Sequence, residues 1–213
     1  MSEPSITHVV LFGDDLGRMP RIRDLGPGQL ERQLLPGAGG DWRLSLVRAD
    51  DVLSRSPLAQ VPADASHVVI SLEGNRAIAA SGMLQGHPGS YEEALARLSL
   101  AADEFETVIE GLIRAALGTR LPVAICTMYL PLHQNPVKQR AAATALAIFN
   151  DRILRQAVAA GISVVDLRPI CAVPGDYSAG GLLSRSALSR VAALIWRALA
   201  EDNRGRISLY RPL

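Results

Sequence analysis

The chain has 213 residues, of which 48% are hydrophobic and 20% are charged, and its formal net charge is +1. This length supports one hydrophobic core, so we expect a single domain over residues 1–213. Because the net charge is close to zero, we do not expect the basic surface that is typical of a nucleic-acid-binding protein. No apolar run is long enough to cross a bilayer, and the first residues, MSEPSIT, do not resemble a secretion signal. We therefore expect a cytoplasmic protein that binds neither nucleic acid nor membranes.

Five short apolar stretches predict buried β-strands. Most are near-continuous runs of Val, Ile and Leu, which are typical of strands covered on both faces in a parallel sheet. The predicted strands are 6–13, 42–48, 66–72, 122–129 and 162–167.

Long helical patterns separate the later strands. The first, 90–118, begins with a capping box of Ser90 and Glu93 and is predicted to end at Gly118. Apolar residues recur along it at intervals of three and four, which predicts one buried stripe. The stripe comprises Leu95, Leu98, Phe105, Val108, Ile109, Leu112 and Ile113.

Two more helices are predicted downstream. The first has Asn135 as its cap, Pro136 at its first position and Gly161 just past its end. The second covers 184–200. Their predicted buried residues are Leu146, Phe149, Ile153 and Ala157 in the first, and Leu188, Val191, Ala192, Ile195 and Leu199 in the second. Shorter helices near 27–35 and 51–60 fit the remaining pattern.

This alternation of strands and helices predicts a parallel sheet with helices on both faces. In such sheets, ligands bind beyond the carboxyl ends of the strands, where the strand order reverses. The loops that follow the strands are therefore where a site is expected. These loops are 13–18, 48–53, 73–90, 129–136 and 168–184.

Three of these loops follow a recognisable order. VVLFGDDLG at 9–17 resembles the first block of the SGNH (GDSL-type) esterases and lipases, in which Gly-Asp-Ser follows the first strand. VVISLEGNRAI at 68–78 resembles their third block, Gly-x-Asn. DYSAGGLLSRSALSRVAALI at 176–195 stands where the family has an Asp and a His before its final helix. The resemblance implies a three-layer α/β/α sandwich with a flavodoxin-like, five-stranded parallel sheet.

The resemblance also implies roles for residues of the first blocks. Gly13 and Asp14 match their counterparts, but the position of the nucleophilic serine is occupied by Asp15. The glycine whose N–H group holds the oxyanion falls near Asp51, whose side chain would crowd that space. Asn75 matches the oxyanion asparagine.

Near Asn75 and in the last block, some residues match the family pattern and others differ from it. Gly74 precedes Asn75 as in the family, but Arg76 replaces an Asp that often follows it. The histidine position falls near Leu182 or Leu183, and no histidine occurs in 134–213. Asp176 is interpreted as a relic of the block that stands too early to orient a base.

The usual serine-esterase mechanism is therefore excluded. It needs a serine activated by a histidine, together with an oxyanion hole. An aspartate is a much weaker acyl nucleophile, and the anhydride it would form is unstable. One hypothesis is a repurposed enzyme, with Asp15 as acid/base or as a nucleophile toward an alkyl carbon, an epoxide or a lactone. N–H donors around Asp15 would favour its charged form, whereas Asp14 and Asp51 would oppose it.

Other loop residues are candidates to assist Asp15. His133 follows the fourth strand and His87 follows the third, so either could supply the missing imidazole. Arg76, and also Arg18, could bind a substrate carboxylate or phosphate. Each of these residues could equally be an ordinary exposed loop residue. The expected ligand is a small acyl- or carboxylate-bearing molecule, and the sequence does not define an oligomeric state.

Two further functions fit the same residues. The first is a catalytically silent binding or scaffold protein in which Asp15 caps the following helix. The second is ester hydrolysis by an altered route, with His133 activating water. An Asp14–Asp15–Asp51 set could also hold a hard cation such as Mg²⁺, but adjacent Asp side chains diverge, so this option ranks last. No cofactor or resident metal is assigned.

The other histidines and the cysteines are predicted to be structural. His8 and His67 stand at the starts of strands. Cys126 and Cys171 lie in or beside apolar runs, which favours buried thiols over a disulfide or a metal pair. The four histidines show no zinc-ligand spacing.

Overall fold

The structure is a computed structural model. It describes residues 6, 8–13, 43–47, 61–72, 74, 77–78, 89–130, 132–177, 183–201 and 208–211. The predicted short helices near 27–35 and 51–60 lie outside these residues.

Six parallel strands form one sheet in the order β2-β1-β3-β4-β5-β6. The five predicted strands are all present, which confirms the predicted parallel sheet. The strands are β1 His8–Gly13, β2 Arg43–Val47, β3 His67–Ser71, β4 Val123–Cys126, β5 Ser163–Val165 and β6 Leu209–Tyr210. The first five have the flavodoxin-like order 2-1-3-4-5.

The sixth strand was not among the predicted ones. Its two residues extend the sheet beyond β5, where the N–H of Val164 donates to the carbonyl of Ser208 and the N–H of Asp166 to that of Tyr210, both at 2.8 Å. Tyr210 is buried and Leu209 is exposed. A strand this short carries too few alternating residues for its pattern to stand out in the sequence.

Three long helices connect the strands, as predicted: α1 Tyr91–Gly118, α2 Pro136–Ala160 and α3 Arg185–Ala200. The side chain of Asn135 caps α2, and Gly161 ends it with a left-handed φ of 69°. At the start of α1, Ser90 Oγ accepts from the N–H of Glu93 at 3.1 Å. The Glu93 carboxylate accepts from Gly89 at 2.7 Å, so its return bond reaches one residue further back than in a standard capping box.

The helices cover both faces of the sheet and make three layers. Val9, Leu11 and Val69 face one side and pack in a cluster with α3. The alternate residues of the same strands, including Val10 and Phe12, pack with α1 and α2 on the other side. This arrangement confirms the predicted α/β/α sandwich and explains why the strands are apolar on both faces.

The predicted apolar stripe of α1 is wrong at two positions. Leu95 is 65% exposed and Val108 is 38% exposed, whereas Ala102 and Ala116 belong to the buried face. With 28 residues, α1 spans about 42 Å, roughly two and a half to three times the length of β3 and β4, so part of the helix extends past the sheet. Val108 lies at the side of the buried stripe, next to Ile109.

Candidate functional site

The strand order reverses between β1 and β3, and the last residues of these two strands lie side by side. Gly13 of β1 pairs in register with Ser71 of β3. Gly13 has a φ of 144°, and a Cβ atom built on it would lie 1.6 Å from the Ser71 carbonyl oxygen. Only glycine fits there. The two strand ends therefore lie together at the position where ligands bind in this kind of sheet.

Gly74, three residues past β3, packs against the chain that leaves β4. A Cβ atom at this position would lie 3.1 Å from the carbonyl oxygen of Tyr129 and 3.1 Å from Cδ2 of Leu146 on α2. The chain at Gly74 and the segment after β4 therefore meet at the same edge of the sheet. This agrees with the expectation that the segments following β3 and β4 lie close together at the carboxyl edge.

Asn150, on the buried face of α2, holds the backbone just past β4. Its Oδ1 accepts from the N–H of Met128 at 2.8 Å, and its Nδ2 donates to the carbonyl of the same residue at 2.9 Å. Asn150 and Met128 are both buried. Since β4 has ended, this backbone has no strand partner, and the amide side chain satisfies both of its polar groups.

A buried polar cluster joins the carboxyl ends of β4 and β5. Thr127 Oγ1 donates to Asp166 Oδ1 at 3.0 Å and accepts from the N–H of Leu167 at 2.9 Å. Arg168 donates to both carboxylate oxygens of Asp166 at 2.7 Å. Burial raises the pKa of Asp166, but the hydrogen bonds and charge of Arg168, with the Thr127 hydroxyl, outweigh it and hold that pKa below its ordinary value.

His133 lies in the loop after β4, as predicted from the sequence. Its backbone N–H donates to Gln139 Oε1 at 2.6 Å, which ties the loop to the first turns of α2. The side chain is partly buried, and its Nε2 atom is inaccessible and has no hydrogen-bond partner among the residues that the structure describes. A buried, unpartnered imidazole nitrogen can donate to or accept from a ligand.

Asp176, the residue interpreted as a relic of the last block, has a structural role. Its Oδ2 accepts from the N–H groups of Ala172 and Val173, each at 3.0 Å, and its Oδ1 accepts from the guanidinium of Arg190 on α3. The Val173 N–H and the Arg190 charge hold the pKa of Asp176 below its ordinary value. The prediction that Asp176 does not orient a base is consistent with these contacts.

Tyr177 ties the same loop to the segment after β4. Its hydroxyl donates to the carbonyl of Cys171 at 2.9 Å and also to that of Leu130. Its backbone bridges Leu183, just before α3. The loops that follow β4 and β5 are thus held together at the carboxyl edge of the sheet.

Most of the predicted site residues lie outside the described residues. Of the set, the structure describes Gly74 and His133, and it places both just past strands at the carboxyl edge, Gly74 in a helical conformation and His133 in a loop. The others are Asp14, Asp15, Asp51, Asn75, Arg76 and His87.

Sequence reasoning missed three polar residues that shape this edge: Thr127, Asn150 and Asp166. A signal was available for each of them. Thr127 and Asp166 directly follow buried strands, and Asn150 stands next to Phe149 on the apolar stripe of α2.

The histidines and cysteines predicted to be structural are buried. The His8 ring bonds Ser45 Oγ at 2.7 Å and Asp64 Oδ1 at 3.1 Å. His67 contacts Ser66 Oγ at 3.0 Å. Both histidines stand at the amino ends of their strands, away from the carboxyl edge. The two cysteines, Cys126 and Cys171, are thiols within the core.

The described residues contain no group of three or more His, Cys, Asp or Glu that could hold a metal ion. They also include no helix with the length and apolar character needed to cross a membrane.

Several solved structures have a fold similar to that of this chain. No family model matches the chain, and no curated protein matches it. Among solved structures, it resembles an extracellular lipase from Streptomyces rimosus with a TM-score of 0.61 and 16% identity, covering 91% of this chain and 99% of the lipase. For the acetylxylan esterase Axe2 from Geobacillus stearothermophilus, the TM-score is 0.58 and the identity 15%, with 95% and 98% covered.

A third similar structure is described as an SGNH hydrolase. It is a protein from Slackia heliotrinireducens assigned to the SGNH hydrolases, with a TM-score of 0.55 and 15% identity, covering 90% of this chain and 97% of that protein. The TM-scores show a shared fold, whereas identities this low do not show a shared activity. The chain has the fold of the SGNH hydrolases.

Proposed function

We propose that this protein is an enzyme of the SGNH-hydrolase type with a repurposed active site. It acts on a small acyl- or carboxylate-bearing metabolite, with Asp15 as acid/base or nucleophile. In this proposal, Asn75 polarises a substrate oxygen and Arg76 or His133 assists. Asp14, Asp51, Gly74 and His87 complete the surroundings of the substrate.

The observation that carries the proposal is the position of Gly13. Gly13 ends β1 at the point where the strand order reverses, against the end of β3, and Asp14 and Asp15 follow it directly in the chain. Ligands of such sheets bind at this point. The solved structures that share the fold include lipases and esterases, which supports a hydrolase-like activity.

His133 supports the proposal from a second loop. Its buried Nε2 atom lacks a partner among the described residues, on a loop that leaves the same edge of the sheet as Gly74. A ring nitrogen in this state can exchange a proton with a substrate or a water molecule. Ester hydrolysis by water activated at His133 is the altered route that the same observation allows.

A catalytically silent binding protein is the second candidate function, and the contacts of Asp176 favour it. The carboxylate that stands nearest the family's last block is already bonded to Arg190 and to two backbone N–H groups. No histidine follows His133 in the sequence. The last block therefore supplies no Asp-His pair for catalysis. Any activity must depend on the residues proposed above.

Turnover of short p-nitrophenyl esters separates these functions. Wild type would be compared with Asp15→Ala, Asp15→Ser and His133→Ala. Asp151→Ala is the matched control, because Asp151 is an exposed carboxylate on α2. The proposal expects Asp15→Ala to lose turnover by about 100-fold or more while Asp151→Ala keeps it.

The remaining variants identify the route. Asp15→Ser should not restore activity, because no histidine stands in the last block to activate the serine. Loss in His133→Ala alone, with Asp15→Ala active, would favour water activated by His133. Equal, very low turnover in every protein would favour the binding function and contradict the proposed enzyme.

The cellular setting is part of the same proposal. We expect a cytoplasmic protein whose ligand is a small molecule, with no nucleic-acid or membrane partner. The buried cysteine thiols are compatible with a reducing compartment. Fractionation of cells that express a tagged protein would test the location.

A further inference from the structure

Ser71 carries a buried hydroxyl that makes no hydrogen bond to any residue that the structure describes. It is the last residue of β3 and is 1% exposed. Its Oγ atom is inaccessible and has no hydrogen-bond partner within the described part of the chain. Each such group in a native protein calls for an explanation, because burying a hydroxyl without a partner costs stability.

A second hydroxyl at the same edge provides the contrast. Thr127 follows β4 directly, is equally buried, and both donates and accepts a hydrogen bond. The fold can therefore satisfy a hydroxyl at this level of the sheet. The lack of a described partner for the Ser71 hydroxyl therefore reflects where Ser71 stands in the sheet.

That position is the point where the strand order reverses. Ser71 pairs in register with Gly13, whose backbone closes against the Ser71 carbonyl. Because side chains alternate along a strand, the hydroxyl stands on the same face as Val69. His133 Nε2, a second buried atom without a described partner, lies on the loop after the neighbouring strand β4. Both atoms occur at the edge where ligands of such sheets bind.

We propose that Ser71 is a ligand-contacting residue, whose hydroxyl donates a hydrogen bond to an oxygen of a bound small carboxylate or acyl group. This inference rests on the proposed function and names one of its substrate-binding groups. The ligand oxygen supplies the partner that the described residues do not. The hydroxyl then selects ligands with an oxygen at this point over isosteric apolar ones.

The test compares Ser71→Ala with wild type in two measurements. The first is the unfolding temperature without ligand. The second is the affinity for acetate and for butyrate by isothermal titration, with NaCl added to equal ionic strength. Thr127→Val is the matched control, since it removes a buried hydroxyl that has partners.

The inference predicts opposite effects on stability and binding. Ser71→Ala should unfold at a higher temperature than wild type, because the unpartnered hydroxyl is gone. The same variant should bind the carboxylate about tenfold more weakly or worse, through the loss of one hydrogen bond to a charged ligand. Thr127→Val should unfold at a lower temperature than wild type.

Three results would overturn the proposed role of Ser71. A lower unfolding temperature in Ser71→Ala would mean that the hydroxyl already has a structural partner, and would overturn the inference. Unchanged carboxylate affinity in Ser71→Ala, or no binding of either carboxylate by wild type, would overturn it as well. Binding without turnover of any ester would refute the proposed enzyme and leave the role of Ser71 intact, so the two failures are distinguishable.

Discussion

Replacing Thr127 by Val tests how the carboxyl edge of the sheet is held together. Val has nearly the same shape as Thr, so the change removes the hydroxyl and leaves the packing of β4 in place. Two hydrogen bonds are lost: the donation to Asp166 at 3.0 Å and the acceptance from the N–H of Leu167 at 2.9 Å. Both partners are buried.

The magnitude follows from these two losses. A buried N–H left without a partner costs about 1–3 kcal/mol. The bond to the carboxylate contributes less than an isolated charged bond, because Asp166 keeps its contacts with Arg168. Together we expect Thr127→Val to lower the free energy of unfolding by about 2–4 kcal/mol.

Urea unfolding, followed by circular dichroism, measures this change as a lower midpoint with an unchanged slope. Thr127→Ser is the control, because it keeps the hydroxyl and removes one methyl group, at a cost of about 1 kcal/mol. The expected order of stability is wild type, Thr127→Ser, Thr127→Val. A Thr127→Val protein as stable as Thr127→Ser would show that the hydroxyl does not hold the two strand ends together.

Three further predictions concern the same edge. Gly13→Ala should destabilise the protein by more than about 3 kcal/mol or prevent folding, since its Cβ would overlap a backbone carbonyl; a soluble variant with an unchanged midpoint would refute this. Asn150→Leu should cost about 2–4 kcal/mol in the same assay, because both polar groups of the Met128 backbone lose their partner, whereas a neutral effect would contradict the clamp. Because the folded pKa of Asp176 is depressed, its stabilisation is present above the ordinary Asp pKa of about 3.9 and is lost as the pH falls through the folded value; Asp176→Asn should therefore flatten the fall in unfolding temperature on acidification, and an equally steep fall would count against the Arg190 pair.

The local signals in the sequence predicted the elements well. The caps Ser90, Asn135 and Gly161 each act within a few residues of the chain, and they appear where the sequence placed them. Apolar runs predicted β1 to β5 because each strand is buried on both faces. The error at Leu95 arose because periodicity records the direction of a side chain around the helix and not whether a sheet lies opposite it.

The polar contacts at the candidate site were beyond such reasoning. Asn150 meets a backbone 22 residues away, and Thr127 meets a carboxylate 39 residues away. These pairs depend on how α2 and the strands pack, which no local pattern specifies. That the Ser71 hydroxyl has no partner among the described residues is likewise visible only when the neighbours of β3 are known.

The most direct test of the central claim is the ratio of kcat/KM for p-nitrophenyl acetate between Asp15→Asn and wild type. Asn keeps the size of Asp and removes its charge and its basicity, so the fold should be unaffected. If the carboxylate performs the chemistry at the end of β1, the ratio falls to about one hundredth or less. A ratio near one, in a variant with the wild-type unfolding temperature, would contradict the role assigned to Asp15.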